Sequence, residues 1–320
     1  MPSEFELIES ITSHFVQHRG VLLGPGDDAA VLAAPDGRVA VSTDMLVENV
    51  HFRTAWTTPH ELGRRAAAQN FADIAAMGGL PTALLVAVGA PSDTEPEWFD
   101  EVAAGLATEC AVVGASVIGG DLAHADRIIV SVAVLGDLQG RAPVTRSGAQ
   151  VGDVVAVAGR MGWSAAGLLS HQRGVDVDPD VRAAYRVPTP PYQAGIAAAI
   201  AGASSMIDVS DGLIADAAHI ADSSGVTLAL DTRSLAIDRE VVLASEALGV
   251  PALELVLGGG EDHALLATFA PDLALPGAFR AIGRVQDRSE SVLVDGVGMQ
   301  TMSAALQQLA QKGDITADQA

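Results

Sequence analysis

The chain has 320 residues and a mass of 32.6 kDa, enough for two ordinary domains with their own cores, so neither disulfides nor a structural metal is needed to hold a fold. Hydrophobic residues make up 49% and charged residues 18%, with a mean hydropathy of +0.32; this excludes global disorder, and 4% aromatics leaves an interior of Ala, Val, Leu and Ile. Forty Asp and Glu against 18 Lys and Arg give a net charge of −22, the wrong sign for binding nucleic acid or an anionic membrane surface.

In chain order, apolar residues at helical spacing over 4–17 are followed by short Val- and Leu-rich strands over 21–23, 30–33 and 39–43. A helix over 59–77 leads to a strand over 82–89, a helix over 97–113 and a strand over 128–136. The turn-rich stretch 136–143, with Gly148 and Gly152 beyond it, separates two strand-bearing halves, so the chain divides into domains 1–139 and 140–320. The second half reads as a strand over 154–158, a helix over 164–173, a Pro-rich surface loop over 176–191, a helix over 191–201 and a strand over 205–209. A helix over 212–223, a strand over 227–231, a helix over 239–248 and strands over 265–269, 281–285 and 292–294 complete it, before a loose tail from Gln311. The fold class is α/β in the mixed α+β sense, without an internal repeat of fixed period.

Two single residues narrow the chemistry. Cys110, the one cysteine, cannot form an internal disulfide, a Cys-based zinc site or a CxxC pair, which fits a reducing compartment. The start Met1-Pro2-Ser3-Glu4-Phe5-Glu6 lacks the basic and apolar regions of a secretory signal, and the uncharged stretch 75–92 is broken by Gly78, Gly79 and Pro81, so a cytoplasmic protein with no membrane span is expected. Lys312 is the only lysine and lies in the polar tail, which excludes a P-loop, a protein-kinase phosphate lysine and Schiff-base catalysis.

Eight of the carboxylates fall in five groups, each after an apolar run: Gly24-Pro25-Gly26-Asp27-Asp28, Ser42-Thr43-Asp44, Gly119-Gly120-Asp121, Asp208-Val209-Ser210-Asp211-Gly212 and Gly259-Gly260-Glu261-Asp262. Read as turns at the mouths of buried strands, they differ from a solvated face, which mixes both charge signs and needs no glycine. If they converge they repel one another and require cations. Oxygen donors without Cys point to a hard ion, Mg²⁺, held together with substrate phosphates. Each Asp by itself also suits a turn or a helix cap. Asp73 lies on the predicted helix among Phe71, Ile74, Ala75 and Met77 and needs a polar partner, with Asn70 one turn away. Asp211 opens the helix that Gly225 closes, either as a ligand kept ionised by the helix end or as a plain N-cap.

Three look-alikes are discounted. The G-x-G-x-x-A match at Gly24–Ala29 carries two aspartates that would repel a bare pyrophosphate. Gly162-Trp163-Ser164-Ala165-Ala166 lacks the second glycine of a nucleophile elbow. Asp176-Val177-Asp178-Pro179-Asp180-Val181 has Val181 where a calcium loop turns on glycine.

Taken in order, GPGDDAAVL, STDMLVENVHF, QNFADIAAMGG, IGGDL, GRAPVTRSGA, IDVSDGLIADAAHIA and GGGEDHALL resemble the thiamine-monophosphate kinase family, within the superfamily of aminoimidazole ribonucleotide synthetase and selenophosphate synthetase. The resemblance implies ATP-dependent phosphorylation of thiamine monophosphate to thiamine diphosphate by direct in-line γ-phosphoryl transfer, with several Mg²⁺ ions and ATP as co-substrate. It matches Asp28, Ser42, Thr43, Asp44, Asp73, Asp121, Asp208 and Asp211 to metal ligation, with Asp27 counted beside Asp28. Gly120, Asp121, Arg146 and Ser210 match nucleotide contacts, His51 and Glu261 match the thiamine end, and Asp44, Asp121, Arg146 and Asp211 form the catalytic set. It also implies an N-terminal domain, 1–139, that binds ATP and Mg²⁺ and dimerises through its sheet, and a larger C-terminal α/β domain, 140–320, that completes the active site of a homodimer.

Mg²⁺ and Arg146 then take the place of the missing lysine around a loose, highly charged transition state. The chain departs from the family's pattern at Val102-Ala103-Ala104-Gly105-Leu106, where an aromatic often lines the adenine pocket, at His263-Ala264 after the GGED acids, and in the 299–320 tail, which has no aromatic. The alternatives are another ATP-dependent enzyme of the superfamily with a different small phosphorylated substrate, and a non-catalytic Mg-nucleotide-binding protein. A selenophosphate synthetase is disfavoured because Cys110 falls in mid-helix.

Overall fold

A helix, α1 (Glu4–Ser13), and a pair of short antiparallel strands, β1 (Val21–Leu23) and β2 (Val31–Leu32), come first in the computed structural model, which describes residues 4–25 and 29–298. There follow β3 (Ala40–Val47), α2 (Pro59–Ala76), β4 (Leu80–Ala90), α3 (Pro96–Val113), β5 (Ser116–His124) and β6 (Ile129–Asp137). The last four strands form a sheet of order β3-β6-β4-β5, in which only β4 and β5 run parallel. Period-two alternation buries Val130, Val132 and Val134 of β6 on one face, where Ile74 of α2 packs against Gly136. The opposite face presents Val41, Met45 and Leu85, which are 66%, 50% and 42% exposed.

Helices α2 and α3 meet backbone to backbone. A Cβ on Gly105 would lie 2.0 Å from the His60 carbonyl oxygen, and one on Gly63 would lie 2.1 Å from that of Val102. Glycine is therefore required at this crossing. Arg64 closes it with two bonds, of 2.8 and 3.0 Å, to the buried Glu109 carboxylate. Val102, Ala103 and Leu106 are buried, so this stretch serves helix packing.

A second compact unit takes over at Arg141 and includes the short segment Ala75–Gly78. Its elements are β7 (Val154–Ala158), α4 (Trp163–Arg173), α5 (Pro179–Arg186), α6 (Tyr192–Ala201), β8 (Ser205–Val209), α7 (Leu213–Ser224) and β9 (Thr227–Leu230). Then come α8 (Arg239–Leu248), α9 (Ala252–Gly258), β10 (Ala264–Phe269), β11 (Arg280–Gln286), β12 (Val292–Val294) and β13 (Val297–Gly298). The seven strands are ordered β13-β12-β9-β11-β7-β10-β8, antiparallel except for β12 beside β9. One core joins Val155, Val157, Ile207 and Leu266 to Leu213, Ile220, Val241 and Leu255; a second joins Ala156, Met206, Ala267 and Phe269 to Ala194 and Ala198 of α6.

Several sequence expectations need correction. Asp44 and Asp121 are not in turns at strand mouths: β3 runs on to Val47, and 116–124, unassigned from the sequence, is the strand β5. The expected loop over 176–191 contains α5, which Asp178 caps by accepting the Asp180 N–H at 2.9 Å. Pro179 stands at its first turn, and Val181, Ala184 and Tyr185 are buried at helical spacing. Helix α9 was not expected either. Among the described residues no single helix is long and apolar enough to cross a membrane. The 299–320 tail and the departure there lie outside the described residues.

Candidate active site

In the first unit, β3 and α2 bring three of the expected ligands together. Ser42 and Asp44 alternate onto the same face of β3, toward α2. Ser42 Oγ donates to Asp73 Oδ2 at 2.7 Å, and the Asp44 N–H donates to Asn70 Oδ1 at 3.2 Å. Asn70, fully buried, is held in turn by its own bond to the Ala66 carbonyl at 2.8 Å. The partner that Asp73 needs is thus Ser42, and Asn70 fixes the β3 backbone beside it.

The register separates other residues from this group. Met45, Ser131, Ala87 and Asp121 stand in one row across the sheet, and Thr43, Ala133, Leu85 and Gly119 in another. Residues directly opposite share a face, so Thr43 and Asp121 project with the exposed Met45 and Leu85, away from Asp44. The Thr43 hydroxyl donates to the Val132 carbonyl at 2.9 Å. Gly120 stands in the Asp44 row, where a Cβ would lie 1.9 Å from the Val86 carbonyl oxygen; the β4–β5 pairing itself demands glycine there. His51, in the turn after β3, accepts the Val47 N–H on Nδ1 at 3.0 Å, which leaves a neutral ring with its proton on Nε2. Asp27 and Asp28 lie outside the described residues.

In the second unit, the end of β8 and the start of α7 crowd acids together. Asp208, on the buried strand β8, lies with Oδ2 3.0 Å from His263 Nδ1. Asp211, Asp216 and His219 each offer a ligand atom within 4.8 Å of the others. Burial, and then the negative charges of Asp208 and Asp211, push the Asp216 carboxyl up to about 7. The helix N-cap is Gly212, and Asp216 Oδ2 reaches back to accept the N–H groups of Asp211 and Gly212 at 3.0 and 3.1 Å. Asp211 therefore does not cap the helix; its carboxylate is exposed and available to a ligand.

Neighbouring loops are tied to this end by hydrogen bonds. Glu261 N–H donates to the Ser210 carbonyl at 2.8 Å, and His263 N–H to that of Val209 at 3.0 Å. Asp262, buried and pushed up to about 7 by that burial, accepts the N–H groups of Gly162 and Ser164 at the start of α4. The second GGED acid is thus a helix cap. The Ser164 hydroxyl has no hydrogen-bond partner among the described residues, so no base activates it as a nucleophile. Arg146 is exposed on a loop whose main chain is held by Ser224 at the far end of α7: Ser224 Oγ donates to the Arg146 carbonyl and accepts from Gly148 and Ala149. Twelve helical residues, roughly 18 Å, separate that end from Asp211, so the two are not neighbours.

Sequence reasoning missed Asp216, His219 and His263. Asp216 carried a signal, an acid in the first turn after the expected helix start, where back-capping occurs. For His263 the one signal was the departure from the family pattern after the GGED acids, which does not locate its contacts.

The chain matches the family model for AIR synthase related protein, N-terminal domain, over residues 26–138, and that for AIR synthase related protein, C-terminal domain, over 150–296. It is 49% identical over 294 residues to the thiamine-monophosphate kinase of Mycobacterium tuberculosis, covering 92% of this chain and 88% of that protein. The crystal structure of thiamine monophosphate kinase from Aquifex aeolicus superposes with a TM-score of 0.78 at 31% identity, over 83% of this chain and 90% of that one. AaThiL complexed with AMPPCP and TMP gives 0.75 at 29% identity, over 93% and 94%.

The raised Asp216 pKa makes a prediction about stability. Because the folded state holds this proton to higher pH than the unfolded chain does, the Asp216 contribution to stability is full below about pH 4, is lost at up to about 1.4 kcal/mol per pH unit as the pH rises to about 7, and is flat above. Asp262 contributes in the same window, so the comparison is between wild type and variant. Asp216→Asn, which keeps an acceptor for the two N–H groups, is expected to gain stability over wild type at pH 8 and to lose that advantage by pH 4 in denaturant titrations. A difference independent of pH would contradict it.

Proposed function

The chain belongs to the thiamine-monophosphate kinase family, and from that premise we propose that it transfers the γ-phosphate of ATP directly to the phosphate of thiamine monophosphate, assisted by several Mg²⁺ ions. In this reaction an acceptor phosphate oxygen forms a bond to the γ-phosphorus while the bond to the β-phosphate oxygen breaks in line, releasing ADP and thiamine diphosphate. The observation that carries the metal part is geometric: Asp211, Asp216 and His219 each bring a ligand atom within 4.8 Å of the others, and burial, then the charges of Asp208 and Asp211, raise the Asp216 carboxyl. The donors of Asp208, Asp211 and Asp216, and those of Ser42, Asp44 and Asp73, are oxygens without sulfur, which suits Mg²⁺. Bound there, Mg²⁺ supplies neutralisation of the charge that builds on the transferring phosphoryl group.

The chain's own residues have the following roles. Ser42 holds the Asp73 carboxylate and Asn70 holds the Asp44 main chain, so this strand and helix are fixed to each other before any ligand arrives. Asp208 is oriented by His263, and Asp211 is left free of capping. Asp27, Asp28, Thr43 and Asp121 are assigned to metal binding, and Gly120, Asp121, Arg146 and Ser210 to the nucleotide, on the family pattern. His51 offers an Nε2–H donor and Glu261 a half-buried carboxylate to the thiamine end. We assign ATP and Mg²⁺ binding and dimerisation to 1–139, with 140–320 completing the active site through residues that include Arg146 and Ser210. The reducing cytoplasm is the matching compartment for a chain whose one cysteine is buried.

Two measurements test this. ADP release should require thiamine monophosphate and Mg²⁺ together, with thiamine unable to substitute, and Asp44→Asn or Asp121→Asn should lower kcat by about 100-fold or more with unfolding unchanged; turnover retained by either variant in saturating Mg²⁺ would refute its ligand role. The exposed Val41, Met45 and Leu85 face supports a homodimer through the four-stranded sheet. Light scattering should give twice the chain mass, and a monomer at micromolar concentration would rule this out.

A further inference from the structure

The loop that joins α9 to β10 contains two non-glycine residues in the left-handed region, Glu261 at φ 66° and His263 at φ 51°. This conformation is strained for such residues and persists only where the surroundings enforce it. Here two backbone bonds enforce it, from Glu261 N–H to Ser210 and from His263 N–H to Val209. The result aims the His263 imidazole, only 4% exposed, between two carboxylates: Nδ1 is 3.0 Å from Asp208 Oδ2, and Nε2 is 3.9 Å from Glu261 Oε2.

The Asp208 carboxylate makes no other hydrogen bond among the described residues. It is therefore oriented through one oxygen by one donor, which leaves the other oxygen for a cation. A histidine that donates to a ligating group fixes that group's direction and raises metal affinity, commonly by about 10- to 100-fold.

We infer that His263 is a positioning residue: its Nδ1–H sets the Asp208 carboxylate for a divalent cation, and its Nε2 edge stands 3.9 Å from Glu261 on the same loop. The inference rests on the reading of Asp208 as a metal ligand and of Glu261 as a substrate contact, and it adds to that reading the side chain that couples the two.

The test uses a pair of variants that both tolerate a left-handed backbone, His263→Asn and His263→Gly. Asn places an N–H donor near the position of Nδ1, whereas Gly supplies none. Mn²⁺ affinity is measured by electron paramagnetic resonance on the full chain without nucleotide, thermal unfolding confirms that each variant is folded, and Asp208→Asn serves as the reference. The expected result is Mn²⁺ affinity close to wild type in His263→Asn, about 10- to 100-fold weaker affinity in His263→Gly, and a raised KM for thiamine monophosphate in both. Equal Mn²⁺ affinity in the two folded variants, or an unchanged acceptor KM in His263→Asn, would overturn the inference. If Asp208→Asn binds Mn²⁺ as wild type does, the ligand reading itself fails, and the positioning role fails with it.

Discussion

Like charges packed together in a partly buried space are the constraint on which this structure turns. Asp208, Asp211 and Asp216 sit where β8 gives way to α7, and among the described residues none of them is ion-paired with an arginine. Burial alone would raise the pKa of such a group, and its two neighbours raise it further. Left to itself the cluster lowers its energy by keeping a proton on Asp216. In the function proposed above, a divalent cation would offset the same repulsion in place of that proton.

The fold fixes the Asp216 and Asp262 carboxylates through backbone N–H groups rather than long side chains, while Asp211 stays exposed. Asp216 reaches back to the start of its own helix, Asp262 caps α4, and the 258–263 loop is stitched to the 208–212 loop through main-chain bonds. In the first unit a buried asparagine does comparable work, with one amide group spanning α2 and β3. The Asp73, Asp208 and Asp216 carboxylates thereby each have a short, defined hydrogen-bond connection, which is what pre-organised charge stabilisation requires.

Much of this was legible in the sequence, and the failures have physical causes. Strands such as Val154–Ala158 and Ser205–Val209 were readable because both faces are buried and the apolar run is uninterrupted. Strand β5 was not, since Gly119-Gly120-Asp121 looks like a turn; it pairs only because glycine lets β4 and β5 approach, with the register shift that follows Val117. Helix α5 carried its signals, a capping Asp178 and Pro179 at the first turn, but they were masked by the prolines around them. The acidic groups pointed to metal and phosphate chemistry, yet not to which faces they occupy: a one-residue step along β3 or β5 sends Thr43 and Asp121 to the opposite side from Asp44, which only strand register decides. The role of His263 depends on two positive φ values and on contacts across 55 residues of chain, neither of which local composition encodes.

Calorimetric titration of the full chain with a non-hydrolysable ATP analogue, run in Mg²⁺ and again in excess chelator, addresses the central point most directly. Crowded carboxylates that repel a bare triphosphate should give saturable binding in Mg²⁺ and none in chelator. Equal affinity in the two conditions would show that the acids do not gather cations for the nucleotide, and the account would be wrong.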